Sequence, residues 1–314
     1  LRFKNIEQYK MSKIFNLKQY DLVFTTSFYI KHGVSGHMYE LIDYYYICKK
    51  SGINCAILLA DGVDKQTFFN AIKYKYNFDI DILKDTHQCH NPRIIRTKNI
   101  CIVDGSWRVN DCTIYADNAF LLRCSEDDYT WFDTSKSIKQ THLMQDFKLY
   151  PERYRDLNIK VVDYVKKILW SKYVQPKPTN NDTGLFYLTT NCRAIPAEEV
   201  KAIMDKGICT NYIIVTDRPN LYQPLLADNV SIAQAPLQNI FEHFDTYIYT
   251  KTELQSDCSP RFIVECAMFG KNVVYEIDYL CAGVERRKQD IDADLSSLEL
   301  TTDDYFVEYV KQFI

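Results

Sequence analysis

The chain reads as an α/β protein built from two doubly wound domains that face a central cleft. Three observations predict this. From Asp21 onward, short apolar runs alternate with helical patterns, which is the order of a parallel sheet with helices on both faces. Runs such as Cys55-Ala56-Ile57-Leu58-Leu59-Ala60 are apolar without alternation, as strands covered on both faces must be. The alternation lapses at 171–184, where prolines, asparagines and a glycine sit in a polar setting, and then restarts at once; such a stretch is a linker. The expected layout is a first domain over 11–170, the linker over 171–184 and a second domain over 185–300. A closing helix over 301–314 is expected to pack back on the first domain.

The elements follow in order. Residues 21–26 form a strand, and 36–52 a helix with Met38, Leu41, Ile42, Tyr45 and Cys48 on one face and Gly52 as its stop. Residues 53–60 form a second strand, 65–76 a second helix, and 99–105 and 119–124 two further strands. After the linker come a strand at 185–190, a helix at 196–207 with Pro196 in its first turn and Gly207 at its end, and strands at 210–217 and 229–235. A short helix at 236–244, a strand at 245–250, a helix opened by Ser259-Pro260 and a strand at 272–277 complete the second domain. The tail is an amphipathic helix with Tyr305, Val307, Val310 and Phe313 as its apolar set.

Composition narrows the function classes. The 314 residues are 46% hydrophobic and 25% charged, with a net charge of -3, so the chain is globular and carries no global field toward nucleic acid or anionic lipid. No apolar run is long enough to span a bilayer and no secretory signal opens the chain; a cytoplasmic location is expected. Residues 1–10 precede Met11 and are read as an upstream remnant. Eleven cysteines is an odd number, without a Cys-x-x-Cys pair, which fits reduced, buried thiols rather than a disulfide framework. His87-Gln88-Cys89-His90 lacks a second ligand pair at a useful distance and reads as a polar loop rather than a metal site.

The segment Asp257–Phe269 raises the functional question. Its helix is made for burial, yet it carries Glu265 in its middle, and a buried carboxylate is costly unless something pairs with it. Ser259-Pro260 supplies a capping hydroxyl and a proline at the first helical position, and a helix start favours an anion. In the first half, Gly33 and Gly36 precede a helix and allow close approach of a phosphate or sugar, although the spacing is not that of a dinucleotide fingerprint. His37 either caps that helix or faces the substrate. Asp104, Trp107, Glu126–Asp128 and Trp131 follow strands of the first domain and are candidates to meet an acceptor.

Asp257 and Glu265, separated by seven residues and followed by Cys266-Ala267-Met268-Phe269-Gly270-Lys271-Asn272-Val273-Val274, resemble the donor-binding motif of retaining glycosyltransferases with two Rossmann-like domains, the GT-B fold. The resemblance implies that Glu265 holds the ribose hydroxyls of a nucleotide-sugar, that Asp257, one methylene shorter than the family's glutamate, contacts the sugar, and that the helix start at Ser259, Pro260 and Arg261 meets the diphosphate. It implies further that Arg193 faces the donor phosphates. The family's second cation there is replaced by Glu199, which leaves Lys201, Arg218, Arg261 or no residue to supply that charge. The loop 233–238, with Ala235, corresponds to the base-binding loop, and the Gly33–Gly36 loop to one that reaches the diphosphate. The implied activity is transfer of a hexose from a UDP-linked donor, used as substrate and not as cofactor, to a hydroxyl of a glycan or other sugar-bearing molecule. Retention and metal independence are expected. An inverting enzyme would need a base, for which His37, His32 and Asp104 are candidates. Alternatives are a viral-type glucosyltransferase acting on a hydroxymethylated base in DNA, a nucleotide-sugar epimerase and a non-catalytic nucleotide-sugar binder.

Overall fold

The computed structural model describes residues 14–26, 36–59, 65–76, 81–82, 84–88, 94–103, 113–122, 137–145, 159–164, 179, 181–189, 195–235, 237–250, 261–276, 284–285, 288–289 and 304–314. They fall into two compact units. The first lies within Leu1–Lys73, Asn77–Leu169 and Glu299–Ile314, the second within Tyr74–Tyr76 and Trp170–Leu298. Both are α/β and Rossmann-like.

The first unit contains β1 (Ile14–Asn16), β2 (Leu22–Thr25), α1 (Gly36–Lys50), β3 (Cys55–Leu59), α2 (Lys65–Lys75), β4 (Thr86–Gln88), β5 (Ile94–Arg96), β6 (Asn99–Val103), β7 (Thr113–Leu122), β8 (Ile138–Gln145), β9 (Lys160–Asp163) and α5 (Tyr305–Val310). The end of α2 and the residue after it, Tyr74–Tyr76, group with the second unit. The main sheet runs β4-β3-β2-β6-β7-β8-β9, all parallel. Strand order therefore reverses between β2 and β6, where Val23 lies between Ala56 and Ile100. β7 serves two neighbours on one side. Its first residues, Thr113–Tyr115, pair with β5, which also carries β1, and Asn118–Leu122 pair with β6. β2, β3 and β6 are buried along their whole length, as continuous apolar strands under helices must be. Val23, Leu58, Ile100, Ile102, Leu121 and Leu143 form one core cluster.

The second unit contains β10 (Thr183–Leu188), α3 (Ala197–Met204), β11 (Asn211–Thr216), β12 (Val230–Gln234), β13 (Thr246–Thr250), α4 (Arg261–Met268) and β14 (Asn272–Glu276). Its sheet runs β12-β11-β10-β13-β14 and is parallel throughout. This order is that of a doubly wound mononucleotide-binding sheet, with its switch point between β10 and β13. Phe186, Leu188, Val200, Ile214, Tyr222 and Ile248 form its core. Gly207 and Gly270 adopt φ of +70° and +65°, the left-handed region that lets the chain leave α3 and α4 without a Cβ clash.

Several expectations are corrected. Of the segment read as a short helix, 236–244, the described residues 237–244 hold a single 3-10 turn, Ile240–Glu242, entered through a left-handed Asn239, because so short a segment gains too little from helix propagation. β10 begins at Thr183, inside the stretch read as linker, and Pro196 stands one residue before α3, at its N-cap. Thr86–Gln88 is a strand, and His87 bonds the Tyr20 hydroxyl at 2.9 Å. In α5, Phe306, Val307, Tyr309 and Val310 are buried and Tyr305 is 52% exposed, so the apolar face is turned from the one read in the sequence. Cys48, Cys55, Cys101, Cys209 and Cys266 are free thiols and buried. Among the described residues no helix is long and apolar enough to cross a membrane.

Candidate functional site

Ligands of doubly wound sheets bind beyond the carboxyl ends of the strands, where strand order reverses. In the second unit the two strands that flank this point are β10 and β13. Arg193 lies in the segment after β10, and Asp257, Ser259 and Pro260 lie in the segment between β13 and α4. In the first unit the flanking strands are β2 and β6; Gly33 follows the one and Asp104 the other. All six of these candidates are outside the described residues, as are His32, Trp107, Glu126–Asp128 and Trp131.

What the structure does describe is the helix that carries Glu265. α4 is seated by an aromatic stack: Phe241 lies on Phe269 at 4.3 Å and 6° and on Phe262 at 5.2 Å, while Phe262 meets Tyr247 of β13 edge-on at 4.8 Å. Such offset and T-shaped pairs each add about 0.5–1.5 kcal/mol beyond the area they bury. They present Arg261 and Glu265, one turn apart, on the same side of the helix.

Glu265 is 2% exposed, and two cations hold it. Lys75 Nζ donates to Oε2 at 2.6 Å and Arg261 Nε to Oε1 at 2.6 Å. The Arg261 guanidinium is fixed from a second edge, where Nη2 donates to the Tyr76 hydroxyl at 2.8 Å. The Lys75 ammonium lies 5.3 Å from the centre of the Phe241 ring, within cation–π range. Burial by itself would push the Glu265 carboxyl up; the charges of Lys75 and then Arg261 outweigh it and hold the group below the ordinary carboxylate range. The half-buried Tyr74 hydroxyl is pushed up, by burial first and then by Glu242, with Glu265 adding a little. Lys75 and Arg261 thus hold a carboxylate that stays ionised.

This arrangement explains why an apolar helix carries a glutamate. A ribose diol reaching Glu265 would have to compete with two charge-assisted bonds. Hydrogen bonds to charged groups contribute about 1.5–3 kcal/mol net, against about 0.5–1.5 kcal/mol for neutral ones. Lys75 was not legible as the partner. It sits 190 positions away, in a helical pattern that reads as an ordinary amphipathic surface.

The remaining candidates are distributed as follows. Gly36 is the exposed first residue of α1 and His37 is half-buried beside it. The backbone N–H of Ala235 donates to Thr216 at 2.9 Å and so extends the β11–β12 ladder. Lys201 is 62% exposed and bonds Asp205 one turn away, and Glu199 is exposed on the same helix. Arg218 is exposed just past the carboxyl end of β11. Of the three cations open for the second phosphate charge, Arg261 is the one the fold fixes in place beside a buried counterion.

No protein-family model matches the chain, and no curated protein matches it by sequence. Two solved structures are similar over most of its length. A lipopolysaccharide outer core galactosyltransferase, WaaB, in its apo form, is 11% identical with a TM-score of 0.41, covering 93% of this chain and 95% of that one. A glycosyltransferase from Rickettsia africae is 12% identical with a TM-score of 0.44, covering 93% of this chain and 92% of that one. The fold class itself follows from strand order and register.

Proposed function

We propose that the protein is a glycosyltransferase that moves a hexose from a nucleotide-sugar to an acceptor hydroxyl, with the donor held by the second unit. The observation that carries this reading is the cluster in which Lys75 of α2 and Arg261 of α4 pair with Glu265 of α4, the helix that follows β13 at the switch point of a mononucleotide-type sheet. The Asp257–Glu265 spacing supports it. The diphosphate is met by Arg193, by Arg261 and by the start of α4, so cationic side chains take the part a metal ion plays elsewhere. In the reaction the bond from the anomeric carbon to the phosphate oxygen breaks and a bond to the acceptor oxygen forms. The acceptor attacks from the face that the phosphate leaves, so the configuration is retained and the departing phosphate takes the acceptor proton without a strong base. Asp257 contacts the sugar, Ala235 lies in the loop nearest the base, and Gly33, Gly36, His37 and Asp104 belong to the unit that receives the acceptor. That acceptor is a glycan or another sugar-bearing molecule, and the donor is UDP-linked.

The test is a thermal-shift screen against nucleotide-sugars, followed by detection of free nucleoside diphosphate with and without candidate acceptors. A ligand that binds only the native state raises Tm. Donor-dependent stabilisation with acceptor-dependent nucleotide release is expected. Stabilisation without release would make the protein a binder, and no stabilisation by any nucleotide-sugar would remove the reading.

A further inference from the structure

We propose that Arg218 is a specificity-determining residue for the donor's base, its guanidinium donating to a carbonyl oxygen of the base, so that nucleotides of uracil or guanine are taken over those of cytosine or adenine. This rests on the donor reading above and deepens it. The argument starts at the carboxyl edge of β11 and β12, where Thr216 and Gln234 close their strands in register. Thr216 is fully buried and anchors both chains as they leave the sheet. Its carbonyl accepts from the Ala235 N–H at 2.9 Å, and its hydroxyl accepts from the Arg218 N–H at 3.0 Å. Arg218 is held again by the turn it opens: its carbonyl accepts from the Leu221 N–H at 3.1 Å, and Pro219 follows it at the first position of the 3-10 turn. The backbone at 218 is therefore fixed beside Ala235, in the loop that the donor reading places nearest the base, at the strand ends where doubly wound sheets take their ligands.

With the Ala235 N–H spent on Thr216, that main-chain donor is closed to a base, and side chains must supply the donors at this edge. Gln234 and Arg218 are both exposed there. The Gln234 carboxamide reaches only the neighbouring Ala235 carbonyl, at 3.5 Å. The Arg218 guanidinium meets no carboxylate, carbonyl or ring among the described residues, so its fork of N–H groups is open. Its charge is felt toward the switch point. The buried Tyr222 phenol, which donates to the Ile195 carbonyl at 2.9 Å just ahead of α3, is pushed up by burial and then by Asp217, and Arg218 draws it back. A guanidinium only donates. The O4 of an oxo-pyrimidine and the O6 and N7 of guanine accept, whereas cytosine and adenine set an amino group in the matching place. One class of base satisfies Arg218 and the other turns donor against donor.

Titration calorimetry with UDP, CDP, GDP and ADP, each against wild type and Arg218→Met, separates this from a phosphate contact. Wild type is expected to bind UDP over CDP, or GDP over ADP, by about tenfold or more; which pair shows the preference tells whether uracil or guanine is the base. Arg218→Met is expected to weaken the preferred nucleotide to the level of its amino partner and to leave that partner unchanged. Circular dichroism melts beside each titration show that the variant is folded at the temperature used, as the exposure of Arg218 leads one to expect. A uniform loss across oxo and amino nucleotides in Arg218→Met would overturn the proposal and put Arg218 on the diphosphate. Unchanged binding of the preferred nucleotide, or a wild type that ranks the amino bases equal or higher, would overturn it too. Wild type binding none of the four, nor any other nucleoside diphosphate, would instead remove the donor reading on which it stands.

Discussion

His142 of β8 and Tyr309 of α5 stand 167 positions apart in the chain and meet at 2.9 Å, ring Nδ1 to phenol oxygen. The other ring nitrogen faces Asn118 Oδ1 at 3.1 Å, and Asn118 in turn donates to Asn99 Oδ1 at 2.8 Å. That chain of amides makes Nε2 the protonated nitrogen, so Nδ1 accepts from Tyr309. The C-terminal helix is thereby tied to the sheet of the first unit through a neutral imidazole.

The first prediction concerns pH. Burial, then the charge of Lys160, pushes the His142 pKa down to about 4. The unfolded state, with an ordinary value near 6.5, therefore binds a proton that the folded state refuses. Stability is expected to fall as pH drops from about 6.5 to about 4 and to level off below, by about 3 kcal/mol from this group. Urea midpoints measured across that range should decline less steeply in His142→Gln than in wild type. Parallel declines would show that the imidazole is not held neutral.

A second prediction concerns the start of the same helix. Asp304 caps α5, accepting from the Phe306 N–H at 2.9 Å, and the same oxygen accepts from the Tyr164 hydroxyl at 2.8 Å, which itself meets Tyr44. Removing the cap costs about 1 kcal/mol, and leaving a buried hydroxyl without its acceptor adds about 1–3 kcal/mol. Asp304→Ala is expected to lose the sum and Asp304→Asn, which keeps an acceptor oxygen, less than half of it. Equal losses in chemical denaturation would contradict the double role.

Gly184 supplies a third. It is the second residue of β10, between β11 and β13, and a Cβ there would lie 2.9 Å from Tyr212 Cδ1 and 3.0 Å from Ile248 Cδ1. Both neighbours are packed in the core, so the methyl has no slack to enter and overpacking of this kind costs about 1–3 kcal/mol. Gly184→Ala should lower Tm, and shortening the neighbour in Gly184→Ala with Ile248→Val should lower it by less than the two changes summed.

The strands that could be read in the sequence are those with a continuous apolar middle, whose buried polar residues lie at the ends: Asn99 in β6, Thr216 in β11, and Thr246 and Thr250 in β13. β3, β6, β11 and β13 declare themselves in this way. β8 could not be read, because Thr141, His142 and Gln145 are buried polar groups; His142 is satisfied by Tyr309 and Asn118, which no local pattern announces. β1, β4, β5 and β9, of three or four residues each, are too short for alternation to register. At the candidate site the acidic residue itself was legible, whereas its cations were only half so. Arg261 is one turn away and visible by spacing. Lys75 belongs to a different part of the chain, and tertiary structure alone brings it to Glu265.

That pairing yields the last prediction. Removing one partner of a buried ion pair costs about 3–5 kcal/mol, because the other charge is left without compensation. Glu265→Gln strands two cations on a neutral amide and is expected to lose about 3 kcal/mol or more, while Lys75→Met leaves Glu265 its bond to Arg261 and loses less. The two changes share one interaction, so the double variant should lose clearly less than the sum, by at least about 1 kcal/mol. Acid sharpens the test. The folded-state pKa of Glu265 is lowered, so its contribution is complete above the unfolded value of about 4.3 and disappears as pH falls through the folded one. Wild type should therefore approach Glu265→Gln in stability as the pH is taken below about 4. A gap between them that stays constant into strong acid, or an additive double variant, would mean that Lys75 and Glu265 are neighbours without being an ion pair.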